Sequence, residues 1–350
     1  MHNKRSQSNM NITQPLTVGP VKLRNRVFVA PMSGVTDLPF RERAYGHGAG
    51  LVVSEMIASQ EYCRARRESR KRAESGTIPV RMLQLAGREA QWMAEAARIA
   101  EDEGVDIIDI NMGCPAKKVT GGLSGSALMR NLDHAMSLIK STLAAVRVPV
   151  TLKMRLGWDH NSINAPELAR RAADAGVQMI TVHGRTREQL YRGTADWARV
   201  AEVRAAVSIP LVINGDIKSR ETADLALIQS GADAVMIGRA SYGAPWVAGQ
   251  IARESGFCDS CAEAVPERAE LGGYVAAHYE DMLAHYGVEP GLRHARKHLN
   301  WYLDKHTADH PDFERLRRGI MTGTDPRNVL DLIADAFAEP FRPALNAKAA

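Results

Sequence analysis

Aromatic side chains make up only 5% of this sequence, cysteine occurs four times in 350 residues, and no apolar run is long. Each scarcity excludes something. A bilayer span needs roughly 18 to 20 consecutive apolar residues, and no run reaches that length. Four scattered cysteines (Cys63, Cys114, Cys258 and Cys261) do not suggest a disulfide framework in a reducing compartment. The start, MHNKRSQSNMNITQ, is basic but lacks an apolar segment and a cleavage site, so it does not read as a secretory signal. Residues 1–14 are expected to be a flexible extension, and the protein to be cytoplasmic and free of membrane. The first apolar run leads into APMSGVTD rather than a G-x-G-x-x-G fingerprint, which argues against an open dinucleotide-binding sheet. The net charge of +5 suits a polyanionic partner or none.

What is present is a repeated alternation. Short apolar runs occur at Val27–Met32, Leu51–Met56, Val80–Ala86, Val105–Gly113, Val150–Leu156, Met179–Arg185, Leu211–Ile217 and Ala234–Ala240. Between them lie segments such as EAQWMAEAARIAEDEG and APELARRAADAG, with helical spacing and a closing glycine. Parallel strands buried on both faces read as nearly continuous apolar runs. Eight such units predict an α/β fold, a (β/α)8 TIM barrel, over residues 15–257. From Cys258 onward only helical patterns remain, near Glu267–Tyr286, Gly291–Lys305, Pro311–Met321 and Arg327–Phe337, which predicts a helical domain over 258–345. The long interval PAKKVTGGLSGSALMRN after the fourth strand reads either as a functional loop or as a surface insertion.

In such barrels chemistry gathers where strands end. That filter selects Pro31, Met32, Glu55, Gln84, Asn111, Cys114, Lys153, Arg155, His183, Asn214, Asp216, Gly238 and Arg239. Polar groups in apolar strands need partners, so a ring of them implies mutual hydrogen bonding or a polar ligand. The loops after the last two strands, INGDIKSRETA and IGRASYGAPW, suit a phosphate, and a monophosphate such as FMN fits there. Lys153 reads equally as a cation beside a flavin or as a buried lysine paired with Glu55 or Asp109.

Seven blocks, APMSGVTD, INMGCPAKKV, GGLSGSALM, LKMR, VHGRTREQLYRGTADW, INGDI and MIGRA, resemble the motif series of the tRNA-dihydrouridine synthases. The helical tail with RHARKHLNWYL is similar to that of the bacterial B-type subgroup. The resemblance runs from about Pro20 to about Pro340 with the motifs in order. It implies an FMN enzyme, recharged by NADPH, that reduces the C5–C6 double bond of uridines in the D-loop of tRNA. By motif match, Pro31, Met32 and Ser33 lie along the flavin and Gln84 and Lys153 contact its ring. Asn214, Gly215, Asp216, Gly238 and Arg239, joined by His183, hold the ribityl phosphate. Asn111, Arg155 and the HGRTR segment, residues 183–187, lie near the uracil.

Cys114 stands between glycine and proline at a strand end. Hydride addition at C6 of uracil leaves enolate-like charge that must be protonated at C5, and Cys114 resembles the family's proton donor. An ordinary thiol, with a pKa of about 8.5, can do this without a large shift. A buried structural thiol is the alternative that residue type alone leaves open. Cys258 and Cys261 have no second C-x-x-C to complete a zinc site, so they read as surface thiols, and no metal is expected. The densest basic segments are CRARRESRKR, RHARKHLNWYL and ERLRRG. Arg293, Arg296 and Lys297 are expected on the tRNA backbone, with Trp301 and Tyr302 as stacking or core residues. NADPH, lacking a Rossmann site, is expected to dock transiently, and the protein to be a monomer. Two other readings remain: a dihydroorotate or dihydropyrimidine dehydrogenase relative, and an RNA-binding protein that keeps flavin structurally.

Overall fold

The computed structural model describes residues 11–338. Residues 1–10 of the expected extension and 339–345 of the expected helical domain lie outside the described residues. Residues 11–14 form a turn in which Ile12 is buried and its carbonyl accepts the Arg26 N–H at 2.8 Å. The described chain divides into two compact units, one running to Ser241 with Trp246–Ala262 and one comprising Tyr242–Pro245 with the chain from Glu263 onward.

The first unit begins with an antiparallel hairpin, β1 (Leu16–Val18) and β2 (Val21–Leu23). The strands that follow are β3 (Val27–Val29), β4 (Leu51–Val52), β5 (Ile57–Ala58), β6 (Met82–Ala86), β7 (Ile107–Met112), β8 (Val150–Arg155), β9 (Met179–His183), β10 (Leu211–Asn214) and β11 (Ala234–Ile237). They form one parallel sheet in the order β4-β3-β11-β10-β9-β8-β7-β6-β5. A parallel bridge between Val53 and Met82, with the Ser54 N–H on Met82 O at 3.1 Å, joins β4 to β6 and closes the ring. β4 and β5 are therefore two halves of one stave, and the eight apolar runs supply the eight staves of a TIM barrel. The hairpin and β5 are not anticipated by the runs, because strands of three and two residues carry too little pattern.

Between the staves lie α1 (Leu38–Gly46), α2 (Ser59–Cys63), α3 (Arg67–Ala73), α4 (Ala90–Asp102), α5 (Lys117–Thr120), α6 (Leu132–Ala145), α7 (Ala165–Ala175), α8 (Trp197–Ala206) and α9 (Arg220–Ser230), with α10 (Val247–Glu254) after the last stave. α7 shows how the sequence makes them. Ala165, Leu168, Ala169 and Ala172 form one buried stripe, and Gly176 at φ +112° takes the C-terminal position that a side chain would strain.

Side chains alternate along each stave, so one set faces the lumen. Its lower part is apolar: Phe28, Leu51, Val53, Met82, Ile107, Met179, Val212, Ala234 and Met236 form one buried cluster. Leu16, Val18 and Leu23 of the hairpin belong to that cluster and plug the floor. Two residues further along several staves, the same face turns polar, at Gln84, Asp109, Lys153's neighbour Thr151, Thr181 and Asn214. The barrel is thus sealed below and chemically equipped above.

The second unit holds α11 (Leu271–Tyr286), α12 (Val288–His306), α13 (Phe313–Thr322) and α14 (Pro326–Phe337). Its core includes Val275, Met282, Leu299, Leu303, Leu316, Ile320, Val329 and Ile333. Gly291 lets α12 approach α11, since a Cβ there would stand 2.9 Å from Leu283 Cα. Among the described residues no helix is long and apolar enough to cross a membrane.

Candidate active site

Strand register assembles the polar layer. Asp109 on β7 lies opposite Gln84 on β6 and Thr151 on β8. Its carboxylate accepts from Gln84 Nε2 at 2.6 Å and from Thr151 Oγ1 at 2.6 Å. Burial pushes the Asp109 pKa up, against the opposing pull of those two hydrogen bonds and of the Lys153 charge. Gln84 Oε1 accepts in turn from Asn111 Nδ2 at 2.7 Å. Among the described residues Lys153 pairs with no carboxylate; its Nζ donates to Asn214 Oδ1 at 3.2 Å, and Asn214 Nδ2 donates to Met236 O at 2.8 Å. Burial pulls the Lys153 pKa down to about 8, eased by Asp109. One of its three N–H groups is engaged, so a buried ammonium retains donors for an acceptor in the lumen.

Above this layer sits the thiol. Asn111 Oδ1 accepts the Gly113 and Cys114 N–H groups at 3.2 and 3.0 Å, turning the chain sharply at the end of β7. Cys114 O accepts from Ser126 N at 3.1 Å and Ser126 Oγ at 2.9 Å. Gly125, at φ +61°, lies so close that a Cβ would stand 2.8 Å from Cys114 O. The long loop after β7 therefore folds back onto the cysteine. Arg155 fastens the arrangement: its Nε donates to Gly113 O at 2.8 Å, and its Nη1 to Thr186 O and Leu190 O at 2.9 Å each. Burial brings the Arg155 pKa down to about 10, with Tyr191 and Cys114 acting the other way. Cys114 itself is half-buried.

On the far side, Arg185 is 1% exposed and organises the loop after β9. It donates to Arg192 O at 3.2 Å, to Gly193 O at 2.6 Å and to the Asp216 carboxylate. Asp216 also accepts from Ala195 N at 2.8 Å and Arg239 Nη2 at 3.1 Å. Burial would raise the Asp216 pKa, but the Arg185 and Ala195 bonds and the two cations hold it below the usual range. Arg185 Nη1 lies 3.4 Å from His183 Nε2. A guanidinium only donates, so the imidazole is neutral with its proton on Nδ1. Burial, then Arg155, Lys153, Arg185 and Arg239, push the His183 pKa well down. Gly215, at φ +118°, is pressed against this ring, since a Cβ would stand 3.0 Å from His183 Cδ2.

The strand-end residues thus meet at one mouth. Gly238 and Met32 face each other, a Cβ on the glycine being 3.9 Å from Met32 Sδ. Pro31 and Met32 are half-buried and Ser33 is exposed. Three contributors lie beyond the residues singled out from the sequence, Thr151, Ser126 and Tyr191, while Arg185 falls within the HGRTR segment and braces the loop through its backbone carbonyls and Asp216. Tyr191 is 53% exposed, with Arg239 Cζ 4.9 Å and Arg155 Cζ 5.7 Å from its ring centroid. Thr151 has the same strand parity as Lys153, a signal that was available. The loop residues carry no such period.

The helical unit differs from expectation in detail. Arg293 and Lys297 are exposed, but Arg296 turns inward and donates to Gly323 O at 3.3 Å. Tyr302 is 1% exposed and bonds His278 Nδ1 at 3.0 Å, and Trp301 stacks on Tyr242 at 4.0 Å between centroids. These two aromatics are packing residues. In the CRARRESRKR segment, Arg64 and Arg66 pair with Glu61, Arg70 with Glu103, Lys71 with Glu74, and Arg72 with Glu68.

A family model described as dihydrouridine synthase (Dus) matches residues 28–340. A probable tRNA-dihydrouridine synthase of Rhizobium leguminosarum bv. phaseoli is 55% identical over 88% of this chain and 94% of the relative. One from Rhodobacter capsulatus is 52% identical over 93% and 98%. The tRNA-dihydrouridine synthase B of Xanthomonas campestris pv. campestris is 43% identical over 92% and 96%. Among solved structures, histamine dehydrogenase from Rhizobium sp. 4-9 superposes with a TM-score of 0.55 at 14% identity, over 77% of this chain and 51% of that one. An old yellow enzyme homologue from Zymomonas mobilis gives 0.50 at 15% identity, over 73% and 99%. At such identities the structural likeness speaks for the barrel alone.

Proposed function

The chain belongs to the dihydrouridine synthase family, and from that premise we propose that it reduces the C5–C6 double bond of D-loop uridines in tRNA, with FMN as its flavin and NADPH as transient reductant. It would act as a cytoplasmic monomer. The donor set suits the cofactor: Gln84 and the buried Lys153 ammonium would contact the flavin ring, with Pro31, Met32 and Ser33 alongside it. Asn214, Gly215, Gly238 and Arg239 would hold the phosphate, with Asp216 orienting Arg239 rather than meeting the anion, and neutral His183 offers an Nδ1 donor there. When bound, FMN supplies the hydride that adds to C6 of the uracil.

The chain's own residues supply the rest. The target base must leave its stack, at a cost of about a few kcal/mol, and enter the mouth beside Cys114. Cys114 donates the proton to C5. Arg155 and Lys153 place positive charge near the developing enolate, and the Arg155 Nη2 group, which makes no hydrogen bond among the described residues, is free to face a uracil carbonyl. Asn111 orients the thiol through the two amides it caps rather than by reaching out alone. Arg293 and Lys297 of α12 meet tRNA phosphates; Arg296, turned inward, supports the helix instead.

The observation that carries this reading is a half-buried thiol fixed by Asn111, Ser126 and Gly125 beside two buried cations at the barrel mouth. The Cys114→Ala protein should retain flavin, seen by its visible absorbance, and lose nearly all dihydrouridine formation, measured by mass spectrometry of tRNA nucleosides. Reduction at the parental rate would remove Cys114 as the acid, and a parental protein that makes no dihydrouridine would overturn the reading.

A further inference from the structure

The segment richest in arginine is not where free positive charge lies. The cations of α2 and α3 are largely neutralised by Glu61, Glu103, Glu74 and Glu68. The rim of the barrel mouth is different. Arg130 closes the short helical turn Gly125–Arg130 after β7, Trp158 follows β8, and Arg187 follows β9. Arg130 Cζ lies 4.9 Å and Arg187 Cζ 4.6 Å from the Trp158 ring centroid. Neither guanidinium makes an ion pair among the described residues, and Arg187 Nε is buried with no hydrogen-bond partner.

The indole holds two like charges together without neutralising either, since a guanidinium stacked on an aromatic face keeps its N–H edge available. The backbone makes this arrangement firm: Arg187 N donates to Gly157 O and Glu188 N to Trp158 O, both at 2.9 Å. Carboxylates nearby in sequence are turned elsewhere. Asp159 accepts from Asn161 N and Ser162 Oγ within its own loop, Asp133 pairs with Arg171, and Glu188 is exposed with no ion pair among the described residues. Lys117 and Lys118, three and four residues after Cys114, are also exposed and form no ion pair among the described residues. The charge of Arg187 is felt by Arg155, whose Nε holds the carbonyl next to Cys114.

We propose that Arg130, Trp158 and Arg187 form a clamp for a backbone phosphodiester of the RNA, close to the nucleotide that enters the mouth. Both Cζ atoms lie within 4.9 Å of one ring centroid, which brings the two guanidiniums within reach of a single phosphodiester, whose two non-bridging oxygens accept from guanidinium N–H groups. The clamp deepens the reading above and rests on it for the identity of the RNA. It also gives the flipped nucleotide a fixed neighbour, so that unstacking is offset where the base leaves the helix.

The test uses the flavin-loaded full chain and fluorescein-labelled bulk tRNA, with binding followed by anisotropy from about 50 to about 200 mM KCl. Arg130→Ala and Arg187→Ala should each make the dependence of log Kd on log salt shallower by about one and weaken binding at low salt roughly five- to tenfold. Arg66→Ala, in the self-paired segment, should leave both unchanged, and all three proteins should keep their flavin. Parental slopes in both clamp variants would overturn the proposal even if the enzyme makes dihydrouridine. Loss of the slope in a protein that makes none would uphold the clamp and overturn the reaction. Equal displacement of tRNA by polyglutamate would overturn the assignment to RNA.

Discussion

Arg155 and Asn111 show how one side chain serves two ends at the residue scale. Each faces the mouth and each also bonds backbone, Arg155 to three carbonyls and Asn111 to two amides. The same crowding explains His183, a neutral imidazole among four cations. In the unfolded chain its pKa returns to about 6.5, above its folded value. Between those two values the unfolded state binds more protons, so this contribution to stability is intact above about pH 6.5 and is lost as pH falls through the folded value. Melting temperatures from about pH 5 to about pH 7.5 should therefore climb more steeply for the parent than for His183→Asn. Equal slopes would show that another group titrates.

At the scale of elements, the long interval after β7 is part of the active site because its glycine packs on the cysteine. Gly125 stands at φ +61° with Cys114 O and Val119 in the way of any Cβ. Gly125→Ala should cost about 1–3 kcal/mol and displace the loop. We expect flavin content near the parental level and kcat for dihydrouridine formation reduced at least tenfold; an unchanged kcat would detach the loop from catalysis. The eight staves were legible because their apolar runs are buried on both faces, and GCP at a strand end pointed to the thiol. Tyr191 and Trp158 were not, since the direction of a loop side chain is set by what the loop packs on, and Arg185 was legible only as a member of HGRTR, without its bond to Asp216. The orientation of Arg296 could have been read, because it lies four residues from Leu292 and three from Leu299, both buried.

For the whole molecule, the helical unit separates exposed from structural cations along one helix. The double variant Arg293→Ala with Lys297→Ala should lower the salt slope of tRNA binding by about two without moving the melting temperature. Arg296→Ala should do the reverse, lowering the melting temperature and leaving the slope alone; a shared effect would mean that all three cations meet phosphate. The barrel carries a different lesson in its divided second stave. A regular strand must point successive residues to opposite sides, but Ser54, Glu55 and Met56 fall between β4 and β5 and escape that alternation. Consecutive side chains can then serve the rim together: Ser54 Oγ takes the Gln84 N–H at 3.0 Å while the Glu55 carboxylate holds Gly34 in the loop after β3. The interruption in the hoop is what lets neighbouring positions of the chain steady two separate walls of the opening.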